Sequence, residues 1–440
     1  MKKIIPLMLV ITLTLPLLIG CGAPTREDAT TSQDIEDSAK EGEGGNGEKI
    51  KLSLWSFTDE LSHAIKEFQK RHPNVEIQLT VIPNEDYPTK IRSVLQSGKG
   101  APDIFTGELQ QVKEWVEASY WKDLAKEPYN AGDYLKDMVQ YVADIGIDSK
   151  GRIKALSWQT TPGAYIYRRS VAKEYLGTDD PEEIGKMMSN MDDFIDLGRT
   201  LRDKSNGKIK LVSGVDDCVW IPHSLKENAW VEDGKFVIDE KIVEHFKNMK
   251  LFREENLDAK TNQWGPPWFE LMNNGEVFGF LLPTWGLHYV LKRNAPDTSG
   301  DWGLTSPPAP YFWGGTWLGI YSRSKHKDVA WEFIKMVTSD EEYLQKLIND
   351  TGEFVSNKKI IDKVKDDFSD DFLDGQNHYA FFAEEIEKID ASKVTKYDQQ
   401  INIMMQSIIE EYVDGKIDLN KALNRLKQNV KAAYPELVVD

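Results

Sequence analysis

Thirteen tryptophans stand in this sequence, and several fall just past the end of a predicted strand, beside acids or amides. In open α/β sheets, ligand clefts lie at the carboxyl ends of the strands. Trp55 closes an alternating run that begins at Ile50, and Trp285 follows the apolar run Phe278 to Leu282. Trp158 leads into Gln159-Thr160-Thr161, and Trp220 lies just beyond Asp216 and Asp217. Trp313 precedes two glycines, and Glu108 and Gln110 follow the short run Asp103-Ile104-Phe105. A ring gives a flat apolar platform, and acids, amides and hydroxyls give fixed hydrogen bonds. That pairing suits non-covalent capture of a ligand whose C–H faces are edged by hydroxyl groups, as a sugar's are. Trp55, Glu108, Gln110, Trp158, Gln159, Thr161, Asp216, Asp217, Trp220, Trp285 and Trp313 are therefore candidate ligand contacts. Trp268 joins them: with Trp264 it flanks Gly265-Pro266-Pro267, a turn that offers either a platform or local packing. Trp115, Trp121, Trp230, Trp302 and Trp331 are read as packing, and Cys218 as a small buried residue beside the site.

Bond-breaking chemistry has little support. No G-x-S-x-G elbow, H-E-x-x-H pair or P-loop occurs in the chain. The seven histidines are scattered, and His63 and His72 have the pattern of a solvated surface rather than a metal site. Asp366-Asp367 and Asp370-Asp371 lack the ligand spacing of a calcium loop. Gly42 to Gly47 matches G-x-G-x-x-G formally, yet it precedes the first strand instead of joining strand to helix. A glycosidase would need two carboxylates ~5–10 Å apart. Among 72 acidic residues some pair meets that spacing by chance, so it remains only as the competing reading. The net charge of -18 argues against nucleic acid and anionic membranes, which require a basic patch. No cofactor or metal is implied.

The first residues carry a different signal. Met1-Lys2-Lys3 is a short positive segment, followed by an apolar run from Ile4 to Ile19 of the length of a secretion signal. It ends in Leu18-Ile19-Gly20-Cys21, which resembles the bacterial lipobox. That resemblance implies a signal peptide of residues 1–20 and a diacylglycerol on the Cys21 thiol. The protein would then be anchored by lipid on the extracytoplasmic face of the cell membrane. Residues 21–48 read as a flexible tether, because Thr25 to Gly47 holds a single large aliphatic side chain, Ile35.

The elements that would position the candidates start at Lys49. Ile50, Leu52 and Leu54 alternate as in a strand, and Leu61, Ala64, Ile65 and Phe68 then mark one helical face, with Thr58 as the expected cap. Val75 to Val81 alternates again, Tyr87 to Leu95 is helical, and Ile104-Phe105 is strand-like. This β-α order predicts an open, mostly parallel sheet. Further strands are expected at Ala164 to Tyr167, Ile209 to Ser213, Glu276 to Leu282 and Thr316 to Tyr321. Ser339 with Glu342 looks like a capping box, and the chain from about Lys358 is almost wholly helical in pattern.

Four fragments in this order resemble the maltose-binding-protein-like family of extracellular solute-binding proteins (family 1), which serves ABC sugar importers. They are Lys51 to Trp55 with Phe68 to Ile77; Gly100 to Phe105; Phe269 to Phe280 with Thr284-Trp285; and Gly314 to Tyr321 with Ser324 to Lys335. The resemblance implies an α/β, two-lobed periplasmic-binding-protein-like fold (type II), each lobe an open mixed sheet flanked by helices, with a hinge between them. It places lobe 1 at residues 49–157 plus 306–352 and lobe 2 at residues 158–305 plus 353–440. It also implies a monomer that captures a carbohydrate, an oligosaccharide above all, and delivers it to ABC importer permease subunits. Trp285 sits where the family places a stacking aromatic, whereas Tyr397, Asp398, Gln399 and Asn402 align only loosely with a contact region of relatives. A peptide, polyamine or phosphate ester remains the alternative ligand for the same fold. Acids and amides outnumber basic residues in the candidate segments, which favours carbohydrate.

Overall fold

The computed structural model describes residues 49–440. The expected signal peptide, Cys21 and the acidic tether lie outside the described residues. Alternation at the start of the ordered chain builds β1 (Ile50–Ser56), whose Leu52, Leu54 and Ser56 turn inward. The helix Leu61–Arg71 buries Leu61, Ala64, Ile65 and Phe68, one face at helical spacing. It delivers the chain to β2 (Val75–Val81), and β3 (Ile104–Glu108) follows after a second helix. The remaining strands are β4 (Leu156–Ser157), β5 (Gly163–Arg168), the small hairpin β6 (Val231–Glu232) and β7 (Lys235–Phe236), β8 (Gly279–Pro283), β9 (Trp302–Thr305) and β10 (Thr316–Ile320).

These strands make two main sheets. The first has the order β2-β1-β3-β10-β4, and the second β8-β5-β9. In the first, β1, β2 and β3 run parallel, with β2 and β3 each reached through a helical crossover. β10 inserts antiparallel between β3 and β4, because it arrives from the second sheet instead of through a crossover. The sheet is therefore mixed rather than mostly parallel. The second sheet is antiparallel at both pairings. The run Ile209 to Ser213, expected as a strand, makes only isolated parallel bridges, Lys210 to Val277 and Val212 to Asp258. Its Leu211 and Val212 N–H groups both point at the Leu257 carbonyl, so no ladder propagates.

The chain passes between the sheets at residues 158–162 and 306–315, and a third segment, Gly352 to Asn357, pairs with the first. Thr160 N–H donates to the Phe354 carbonyl at 3.0 Å, and Ser356 N–H to the Trp158 carbonyl at 2.8 Å. Trp313 N–H donates to the Thr161 carbonyl at 3.1 Å. Beyond it the chain is helical, as its pattern predicted: Lys358–Val364, His378–Glu385, Asp398–Val413 and Leu419–Ala433. The helix Asp398–Val413 packs on Glu240–Glu254. Its first residue forms a buried ion pair with Lys226 at 3.2 Å, and the Thr395 N–H and hydroxyl also donate to the Asp398 carboxylate.

Two expected caps move by a residue or two. The first helix is entered through Glu60 without a side-chain cap, and the buried Thr58 hydroxyl turns to the Glu60 carboxyl instead of a helix amide. Asp340, not Ser339, caps the helix Glu341–Thr351, accepting from Tyr343 N–H at 2.8 Å. Asp and Ser are near-equal caps, and the one whose oxygen reaches an N2 or N3 amide wins.

The start of β5 admits no side chain. A Cβ on Gly163 would lie 2.0 Å from the Tyr311 ring, and that buried phenol donates to the Ala164 carbonyl at 3.2 Å. Gly163→Ala should therefore cost about 1–3 kcal/mol or more of unfolding free energy, read from urea denaturation. An unchanged midpoint would show that the Tyr311 ring swings clear.

Candidate functional site

A cavity of about 550 Å³ opens where the carboxyl ends of the strands meet the crossing segments. From the first sheet it is walled by Phe57 and Glu60 just past β1, Glu108 at the end of β3, and Thr316 opening β10. The crossing segments supply Gln159, Trp313, Gly314 and Gly315. From the other side come Asp216 and Trp220, Gln263 and Trp264, Trp285 just past β8, and Glu410.

Four tryptophans form its apolar wall. Trp264 stacks nearly parallel on Trp285, at 6.0 Å and 13°. Trp313 stands edge-on to Trp285 at 5.0 Å and 73°, and stacks on Trp220 at 5.8 Å and 24°. Such pairs contribute ~0.5–1.5 kcal/mol each beyond their buried area. The Trp285 indole N–H donates to the Trp313 carbonyl at 2.8 Å, which locks the ring beyond β8 to the crossing segment. Gly314, at φ +78°, allows this approach, since a Cβ there would lie 2.8 Å from Trp285 Nε1. Trp264 is 55% exposed, the most conspicuous large apolar surface in the site.

The polar wall is acidic. Asp216 is pushed up to about 7, by burial and by the neighbouring Asp217. Its Oδ2 accepts from Gln263 N–H at 2.7 Å, while Oδ1 is buried without a partner. Glu60 is likewise raised to about 7, chiefly by burial and by Asp59, although the Thr58 hydroxyl hydrogen-bonds its carboxyl. Behind it Glu353 is raised to about 8 by burial and by Glu60, although it accepts from the Tyr289 hydroxyl at 3.0 Å and Gln159 Nε2 at 3.4 Å. Burial pushes His245 down to about 3, so this imidazole is neutral at physiological pH. Among the described residues no group of three His, Cys, Asp or Glu side chains is arranged to hold a metal ion.

Six of the sequence candidates line this cavity: Glu108, Gln159, Asp216, Trp220, Trp285 and Trp313. Five do not. Trp55 lies on β1 and packs against the core, and Phe57, two residues on, takes the cavity position. Trp158 is buried in the crossing segment, where its carbonyl receives Ser356 N–H. The Thr161 hydroxyl is consumed by the Gly314 carbonyl at 3.1 Å. Asp217 stands behind Asp216, accepting from Ser213 N–H and from Gln263 Nε2. Trp268 is wholly buried, against Phe269 and Phe280. The Gln110 side chain lies outside the description. Cys218 is buried one turn from Asp216, as its type predicts.

Of the two tryptophans that flank the turn, Trp264 lines the cavity and Trp268 packs in the core. Pro266 and Pro267 open the helix Pro266–Asn274, which places Trp268 on the buried face with Leu271 and Met272. Trp264 precedes that helix at φ +67° and faces the cavity. The apolar spacing at 268, 271 and 272 was the available signal. Glu60, Asn84, Asn262, Gln406 and Glu410 also line the cavity and had no local signature.

Residues 63–372 match the family model for bacterial extracellular solute-binding proteins. The chain belongs to that family. It is 22% identical to the arabinooligosaccharide-binding protein of Bacillus subtilis, over 97% of this chain and 100% of the relative. The erythritol/L-threitol-binding protein of Mycolicibacterium smegmatis is 21% identical over 74% of each chain. Among solved structures, an extracellular solute-binding protein of family 1 superposes with a TM-score of 0.78 at 18% identity, covering 87% of this chain and 99% of the other. The galacto-N-biose/lacto-N-biose I-binding protein of Bifidobacterium longum, solved with lacto-N-biose, gives 0.72 at 15% identity, covering 90% and 100%. These likenesses show the two-lobed α/β fold.

The raised Asp216 carboxyl has a testable sign. Its unfolded value is near 3.8 and its folded value about 7, so the folded state loses stability as pH rises through that window. Buried His223, His245 and His288, all shifted down, act oppositely below ~6.5, so the parent curve alone is ambiguous. Asp216→Asn isolates the effect: thermal unfolding should show a higher midpoint than the parent at pH 8 and a clearly smaller gain at pH 5. Equal midpoints at both pH values would mean that Asp216 is already solvated.

Proposed function

We propose that this protein captures a carbohydrate, an oligosaccharide above all, in the cavity between its sheets and presents it to an ABC importer. The observation that carries this is the tryptophan wall, Trp220, Trp264, Trp285 and Trp313, facing acids and amides across one cavity. Apolar C–H faces of a sugar stack on the rings, and its hydroxyls donate to Asp216 and Glu60 and exchange hydrogen bonds with Gln159 and Gln263. The sugar-binding relatives support the same reading. On it, no bond is broken. Ligand binds one lobe, the other swings over it about the crossing segments, and the closed form docks on the permease. Closure requires that the ligand bind the closed state more tightly, which rings contributed from several segments would provide.

The lobes we assign are residues 49–157 plus 306–352 and residues 158–305 plus 353–440. The membership of the strands in two sheets supports this division. The Cys21 lipid anchor, the monomeric state and the lack of catalysis are parts of the same proposal.

The opposite placements of Trp264 and Trp268 make a sharp test. In isothermal titration with the sugar found by a thermal-shift screen, Trp264→Ala should lose ~1–3 kcal/mol of binding with an unchanged unfolding midpoint. Trp268→Ala should instead lose ~3–5 kcal/mol of stability. Recovery of the glycan intact after incubation is expected; cleavage products would replace the binding-protein reading with an enzyme. Undiminished affinity in Trp264→Ala would remove that ring from the site.

A further inference from the structure

The charge of the cavity is one-sided. Glu60, Glu108, Asp216 and Glu410 line it, while no lysine or arginine does among the described residues. Its imidazole, His245, is buried and neutral. Glu60 has the field of Arg293 behind it. Among the described residues Asp216 has no such cation: the charges acting on it are those of Asp217 and Glu410, both acidic, and its Oδ1 is buried and accepts no hydrogen bond. The Glu410 side chain is exposed toward the cavity on the helix Asp398–Val413. Beside this acidic pair stand Trp220 and Trp264. Trp220 begins four residues after Asp216, and Trp264 adjoins Gln263, whose N–H binds Asp216.

A neutral ligand would displace water from Glu410 and leave Asp216, raised to about 7, largely protonated at pH 6.5 as the cleft closes. A cation placed between them would favour the ionised form of Asp216 and replace the water lost from Glu410. Indole faces attract cations as well, tryptophan more than other rings. The amides of Gln159, Asn262, Gln263 and Gln406 also line the cavity and call for a ligand rich in hydroxyls, which a bare polyamine lacks.

We propose that the captured carbohydrate is an amino sugar with a free, protonated amine, its ammonium held between Asp216 and Glu410 against the face of Trp264. This rests on the carbohydrate reading above and specifies its substrate class.

Titration calorimetry on the purified full chain at pH 6.5 tests it, with four probes: glucosamine oligosaccharides, their N-acetylated forms, uncharged glucose oligosaccharides of equal length, and spermidine. The free-amine series should bind at least about tenfold more tightly than either uncharged series, and the margin should shrink with added salt. Asp216→Asn and Glu410→Gln should each reduce that margin several-fold without lowering the unfolding midpoint. Uncharged oligosaccharides binding as tightly as the amine series would overturn the inference and leave the carbohydrate reading standing. Spermidine binding with no sugar bound would overturn both. An amine preference that survives both substitutions would overturn the assignment to Asp216 and Glu410.

Discussion

Wherever the chain of this protein crosses between its two sheets, its backbone groups pair with another crossing segment. Thr160 N–H meets the Phe354 carbonyl, Ser356 N–H the Trp158 carbonyl, and Trp313 N–H the Thr161 carbonyl. Buried peptide groups must be satisfied, and these connectors lie too deep to rely on solvent. Mutual pairing solves that problem and also forms the floor of the cavity. Gln159, Trp313, Gly314 and Gly315 all belong to these segments and all face it. On the proposed function, a rotation of one sheet against the other would be absorbed here, next to the cavity lining, so that closure and binding would draw on the same residues.

The tryptophan wall follows from that floor. Trp313 is carried by a crossing segment, Trp285 lies past β8, and Trp220 and Trp264 come from two separate turns. The hydrogen bond from the Trp285 indole to the Trp313 carbonyl ties the second sheet to the crossing segment at the point where the rings meet. Rings held in this way lose little further freedom when a ligand arrives, so more of the stacking energy remains as affinity.

The acids are held at a cost to the empty protein. Burial raises Glu60, Glu353 and Asp216 toward neutrality, with like-charged neighbours adding to the effect. Surface acids elsewhere are paired with Lys or Arg, as Asp340 and Asp350 are. Asp216, inside the cavity, has no such ion pair among the described residues, and its Oδ1 accepts no hydrogen bond. Sites that bind in this way commonly set aside stability for function.

Much of the fold was legible along the chain, because alternation and helical spacing are local. β1, the helix Leu61–Arg71, β2, β3 and β10 appear where their apolar periods lie, and the four ordered fragments pointed to the solute-binding family. Local reading also found the right neighbourhoods for the site: the residues just past β8, the turn around Asp216, and the crossing at Gln159. What it could not decide was which of two nearby side chains faces the cavity. Phe57 rather than Trp55, Asp216 rather than Asp217, and Trp264 rather than Trp268 do so. Each choice is set by packing against segments far along the chain, such as Phe280 against Trp268. Glu410 belongs to the same class, since its helix is held by packing on segments remote in sequence, Glu240–Glu254 among them. Residue type and spacing by themselves determined the elements and the kind of surface they could build. Only tertiary structure decided which side chains share the cavity, because burial and charge proximity depend on contacts between residues remote in sequence.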